Sequence, residues 1–306
     1  MPPLAPDLGP AIVVAALSAC GFSLSSSLQH RDASGAPEHV RGPIRLIGYL
    51  LTRRAWLLGV TLGVASLVLH ALALRLGPLA VVQPLMVSGV VLAVVVRAAL
   101  DRRTPSGREL SGVLLTAAAL AGFLVVSRAQ DHHRLPHGSH AVGFTVAALL
   151  VVVGTAVTAE RLRQPTRSAM LFGVSTGVLF GLTAGLLKVV VTQAQHGGIP
   201  GAALSWELWV FLLVGVSGTA LNQRAYHRAP LAVSMPLLNI IDVVVALGFG
   251  WLVFGDAVAH DPLTVLAQLA CLTGMALGLR LIAVTAEQPA GELPTRRPAT
   301  PTRAAG

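Results

Sequence analysis

Asp242 is the only acidic residue of this 306-residue chain that falls well inside a long apolar stretch, at the middle of residues 231–254. A carboxylate at the centre of a membrane-spanning helix costs several kcal/mol unless it is paired, hydrated or protonated. An acid in such a place is therefore a candidate for holding a cation or carrying a proton. The plainer alternative is a protonated Asp that hydrogen-bonds a neighbouring helix. Asn239 precedes it by three residues, on the same face of a helix, and the two together are a sparse ligand set for a metal ion. Gln83, Asn222 and His70 lie in other apolar stretches. They add two amides and an imidazole that suit a dehydrated cation or a polar solute, and that serve equally as hydrogen bonds between helices. Lys188 sits near the end of its stretch, where a lysine either reaches the headgroups or faces a cavity.

The residues around these candidates say how they are to be positioned. Pro84 and Pro236 each remove a backbone donor and free a carbonyl one turn earlier. Within hydrocarbon that is tolerated only where protein or a wet cavity satisfies the carbonyl. The two prolines read either as plain kinks or as paired hinges facing a central cavity. Gly173, Gly177, Gly181 and Gly185 recur at every fourth residue, leaving a flat strip on which another helix packs. Ser18, Ser23, Ser25, Ser26, Ser27 and Gln29 line the first stretch. His132, His133, His137 and His140 crowd residues 131–140, but their spacing is irregular and no thiolate joins them, so a solvated loop is expected there. Neither Cys20 nor Cys271 has a disulfide or metal-site context. No hydrolase, zinc-protease or phosphate-loop motif occurs, so the chain is not expected to be an enzyme or to carry a cofactor.

The composition names the medium. Hydrophobic residues make up 54% and charged residues 11%, with a mean hydropathy of +0.73. Soluble domains are about one quarter charged, so a water-soluble globular fold is excluded. The net charge of +9 resembles a nucleic-acid signature until its position is noted: the arginines lie between apolar runs and read as topology signals. Nine stretches approach the roughly 20 residues a spanning helix needs: 8–28, 55–74, 79–96, 110–126, 141–159, 169–191, 208–223, 231–254 and 263–284. With nine spans, 18 arginines fall on one side and only Arg75, Arg128 and Arg134 on the other. That bias puts the N-terminus outside and the C-terminus in the cytoplasm, in a cell inner (plasma) membrane. Leu17-Ser18-Ala19-Cys20 looks like a lipoprotein cleavage box. The ten residues at the N-terminus hold Asp7 and no Lys or Arg, so the first span is expected to be retained. Residues 40–54 mix arginines with Ile and Leu and suit the headgroup plane; the Pro/Thr/Arg-rich tail from 287 reads as disordered.

A weak internal repeat adds an architecture. PLAVVQPLMV at 78–87 and PLAVSMPLLN at 230–239 agree at six of ten positions at an offset of 152, both prolines included. The same offset sets His70 opposite Asn222 and Gly122 opposite Gly274. The two segments open spans 3 and 8, five crossings apart, which makes the copies antiparallel. Inverted repeats with matching interrupted helices build many secondary transporters, with the site near the midplane.

Several of these segments resemble the drug/metabolite transporter (EamA-like) superfamily, most closely its NIPA-like branch of magnesium transporters. Ser25-Ser26-Ser27 followed by Gln29-His30-Arg31 is similar to that branch's serine-rich first helix. Tyr49-Leu50 ahead of Trp56-Leu57-Leu58-Gly59 resembles the start of its second span. Residues 80–89, Asn222-Gln223-Arg224-Ala225-Tyr226 and 233–236 resemble its third, seventh and eighth spans, and Lys188 matches a lysine of its sixth. Asp101 and Asp256 stand where the superfamily usually has a Glu; Asp242 has no secure counterpart.

The expectation is an all-α polytopic membrane protein of about nine helices. Residues 1–127 form a first repeat, 128–168 an outer loop, span 5 and a linker, 169–286 a second repeat, and 287–306 a tail. It would transport Mg²⁺ or a small polar solute by alternating access around Asp242. A proton-coupled metabolite or drug exporter is the alternative. A different class is a non-transporting scaffold associating through the glycine face. The expected partners are the bilayer, a small solute or Mg²⁺ and, as an option, a second copy of the chain; nucleic acid is not among them.

Overall fold

Uninterrupted apolar runs leave the backbone no solvent to bond, so in this chain it bonds within helices. A computed structural model describes residues 8–34, 48–100, 104–127, 136, 138–229, 231–256 and 261–286. Among them are nine helices of 19 residues or more: α1 Gly9–Ser34, α2 Arg54–Leu76, α3 Leu79–Leu100, α4 Gly107–Ser127, α5 Gly138–Arg161, α6 Pro165–Leu204, α7 Trp206–Arg228, α8 Leu231–Phe249 and α9 Pro262–Ala286. Seven are long and apolar enough to cross a membrane. The described apolar parts of α3 and α7, Leu79–Gly89 and Trp206–Asn222, are shorter. Among the described residues the regular structure is all helical, and the chain is a polytopic membrane protein. Most of segment 40–54, His132, His133, His137 and the tail lie outside the described residues.

Local chemistry sets several helix ends. Ser106 and Glu109 cap α4 reciprocally: the Ser106 amide donates to Glu109 Oε2 at 2.7 Å and the Glu109 amide to Ser106 Oγ at 3.2 Å. Pro165 opens α6, where its missing N–H is no loss. The same helix breaks at Gly198 (φ 73°), just before Ile199-Pro200. α8 runs into one π-helical turn, Gly250–Phe254, which Gly255 ends in the left-handed region at φ 68°.

Most helices show apolar side chains on the outer surface, among them Val68, Leu150 and Val216, as lipid contact requires. α6 differs, with 78% of its apolar window buried; it is the central post. The packing follows one pattern in each half of the chain. α1 lies on α2 and α3, and α3 on α4; α6 lies on α7 and α8, and α8 on α9. α4 against α9, and α3 against α8, join the halves, while α5 packs on α6.

Small residues show the register of these contacts. A Cβ added at Gly122 of α4 would lie 3.2 Å from Cys271 Sγ of α9, and one at Gly274 of α9 would lie 3.1 Å from the Ala119 Cβ of α4. Residues 119 and 271, like 122 and 274, are 152 apart, so the two contacts are exchanged by the offset found in the sequence. Gly21 of α1 meets Ser66 of α2, and Gly218 of α7, 152 positions after Ser66, meets Leu179 of α6.

Candidate functional site

The two proline-containing helices meet through a polar contact. The Gln83 amide Nε2 of α3 donates to Asp242 Oδ1 of α8 at 2.7 Å, with both residues buried. Pro84 follows Gln83 directly and Pro236 lies six residues before Asp242; both are buried inside helices that continue past them. Gln83 Oε1, the other end of the same amide, is buried with no hydrogen-bond partner. The contact therefore offers further acceptor capacity beside the carboxyl, while its amide donor is already engaged. What such a pair can hold is a group that brings hydrogen-bond donors or positive charge.

α8 reaches this position because α6 gives way to it. Gly173 faces Ser234, Gly177 faces Leu238 and Ile241, Gly181 faces Asp242 and Val245, and Gly185 faces Phe249. A Cβ at Gly181 would stand 2.5 Å from the Asp242 carbonyl oxygen, and one at Gly185 equally close to the Phe249 ring. Only glycine lets the two backbones approach so closely. The glycine row thus faces the helix that carries Asp242.

The remaining candidates are placed elsewhere. Asn239 lies one turn before Asp242, but its amide donates to the Met235 carbonyl of its own helix at 2.8 Å, and no hydrogen bond joins it to Asp242 among the described residues. The crevice beside it, lined by Ile240, Leu272, Met275 and Leu279, has no water-sized space. Asn222 is half-buried on α7, which packs on α6. His70 of α2 has a buried, unpartnered Nε2, and its ring stands edge-on to Phe22, 6.5 Å between centroids. Among the described residues no three His, Cys, Asp or Glu side chains gather closely enough to hold a metal ion. The serines of α1 mainly tie helices together: Ser18 Oγ donates to the Ser66 carbonyl at 2.7 Å and Ser25 Oγ to the Gly59 carbonyl at 2.6 Å.

Lys188 does not reach outward to the headgroups. It is buried, with Nζ 3.3 and 3.5 Å from the two carboxylate oxygens of Asp256 and 4.6 Å from the Phe254 ring centroid. Asp256 as a partner of Lys188 is a polar contact that residue type alone did not point to. The available signal was an acid immediately after an apolar run, in Phe254-Gly255-Asp256. At the C-terminal end of α7, Glu160 of α5 pairs with Arg224 and Arg228, and the Arg228 guanidinium lies over the Phe172 ring at 5.9 Å.

The chain is 26% identical over 284 residues to an uncharacterized protein of Corynebacterium glutamicum, covering 92% of this chain and 97% of that one. No protein-family model matches the chain, and no solved structure matches it.

Proposed function

We propose that this protein is a secondary transporter of the drug/metabolite type. Nine helices cross the plasma membrane, N-terminus out and C-terminus in, and two inverted repeats (α1–α4 and α6–α9) move about each other. The observation that carries the reading is the Gln83–Asp242 contact. It buries a lone carboxyl group where the two proline-interrupted helices, one from each repeat, meet. An ionised group there is tolerated when a cation or water reaches it in part of a cycle. The exchanged contacts of α4 with α9 and the like packing in both halves support the inverted arrangement. The arginine imbalance supports the orientation.

Asp242 is the coupling group: it takes up a proton on one side and releases it on the other as a small polar solute moves. Mg²⁺ prefers several oxygen ligands at octahedral geometry. One carboxyl and one free amide oxygen are few for it, so the donor set favours the singly charged partner, whereas the NIPA-like resemblance favours magnesium. A scaffold role through the glycine row has less support, because that row is already covered by α8.

Flux into proteoliposomes decides between these readings. A pH gradient should drive a fluorescent cationic dye in wild type and fail to in Asp242→Asn, with Mg²⁺ uptake no higher than in empty vesicles. Mg²⁺ uptake that depends on Asp242 would replace the proton reading with the magnesium one. Equal dye flux in wild type and Asp242→Asn would remove the transport role given to this residue.

A further inference from the structure

Lys188, Asp256 and the π-helical turn before Asp256 lie two helical turns beyond the Gln83–Asp242 contact. On α6, Lys188 follows Gly181 by seven residues, about 10 Å along the axis and on nearly the same face, so it ends the glycine row. Asp256 comes just after the turn Gly250–Phe254 and the left-handed Gly255. Its carboxylate is pressed against Gly250, where an added Cβ would meet Asp256 Oδ2 at 2.8 Å and the Leu79 Cβ at 3.4 Å. Leu79 is the first residue of α3, four before Gln83. One ion pair thus gathers the end of α8, the start of α3 and the far part of α6, the three helices that surround the coupling group.

We propose that the Lys188–Asp256 pair is the outer closure of the path to Asp242, intact when the protein faces inward and parted when it faces outward. This inference rests on the transport reading above. Three features suit a contact that parts. Its N–O distances of 3.3 and 3.5 Å exceed the 2.7–2.9 Å usual for charge-assisted bonds. The π-turn replaces regular helix hydrogen bonding at that point, a form found often at functional sites. Along the glycine row α6 presents no Cβ to α8 before Lys188, so the long side chain of Lys188 is the first α6 side chain of that row to reach across. The aromatic residues agree with an outer position: Trp206 and Trp209 at the start of α7 and Trp251 in the π-turn are all exposed, as in an interfacial belt.

The test is access from each side. Leu79→Cys is placed in a background lacking native thiols (Cys20→Ala, Cys271→Ala) and exposed to a membrane-impermeant thiol reagent, in intact cells and in inverted vesicles. Slow labelling from outside is expected with the pair intact, and labelling at least tenfold faster from outside only with Lys188→Met or Asp256→Asn. The exchange Lys188→Asp with Asp256→Lys should restore slow labelling. Unchanged rates in folded single variants, or faster labelling only from inside, would overturn the proposal. Should the single variants not fold, Lys188→Cys with Asp256→Cys is added to Leu79→Cys and labelling at position 79 is read by peptide mass: slow labelling from outside is expected with the 188–256 cross-link formed and labelling at least tenfold faster after its reduction, and equal rates would overturn the proposal. Labelling does not require transport, so this closure and the coupling role of Asp242 fail separately.

Discussion

At the scale of single residues, one hydrogen bond joins the two proline-containing helices. Gln83 gives Asp242 its buried partner, and leaving a buried polar group without one costs about 1–3 kcal/mol. Gln83→Ala should therefore lower the thermal stability of the detergent-solubilised protein by a few degrees and reduce flux, whereas Asp242→Asn, which still accepts from Gln83, should keep the stability and lose flux at least tenfold. Melting curves set beside flux separate the two outcomes. Lys188→Ala is a different case. It removes the ammonium beside the buried Asp256 carboxylate, and breaking a buried pair this way costs about 3–5 kcal/mol, while apolar replacement of both partners is often close to neutral. Stability of Lys188→Ala should fall well below that of Lys188→Met with Asp256→Leu, as thermal unfolding would show. Residue type and depth were enough to single out Asp242, Gln83 and Lys188. They were not enough to show that Asn239 turns its amide back to Met235, since a side chain one turn away bonds its own backbone as readily as a neighbour. Nor did they show Asp256 as the partner of Lys188, because a contact between residues 68 apart depends on how three helices meet.

At the scale of elements, the α6–α8 seam sets how closely Asp242 is held. A leucine at Gly181 would drive a side chain into the Asp242 carbonyl and Val245, and overpacking of this kind costs about 1–3 kcal/mol. Gly181→Leu should thus lose both stability and flux, while Gly215→Leu on α7, where an added Cβ meets nothing within 4 Å, should keep both; flux and melting temperature measured together check this. The every-fourth-residue spacing of glycine made this seam legible before its partner helix was known. The nine apolar stretches likewise coincide with nine described helices, to within a few residues at most ends. The larger departures are at α6, which runs on to Leu204 through the break at Gly198, and at the π-turn, whose bonding pattern leaves no periodic signature among Gly250–Phe254.

At the scale of the whole molecule, alternating access needs parts that move and a part that does not. The α4–α9 contact is suited to the fixed part: Gly112, Thr116 and Gly278 bring its backbones together, and the Gly122–Cys271 and Gly274–Ala119 contacts belong to the same seam. Gly122→Cys places a second sulfur near Cys271 at a separation a disulfide can span. Cross-linking this pair should leave dye flux within about twofold of the reduced protein; flux before and after oxidation is the check. The offset of 152 was readable from ten residues around the prolines. It also paired Gly122 of α4 with Gly274 of α9; that these two helices touch there was not legible, because Ala, Val and Leu at most other positions carry little positional information.

The central claim is that the carboxyl of Asp242 carries the coupled charge. It is tested most directly by proton release from reconstituted vesicles, followed with a trapped pH dye as the cationic solute enters. Wild type should release protons in step with solute entry, and Asp242→Asn, folded and inserted to the same extent, should release none above empty vesicles. Proton release of equal size in the two proteins would contradict the account.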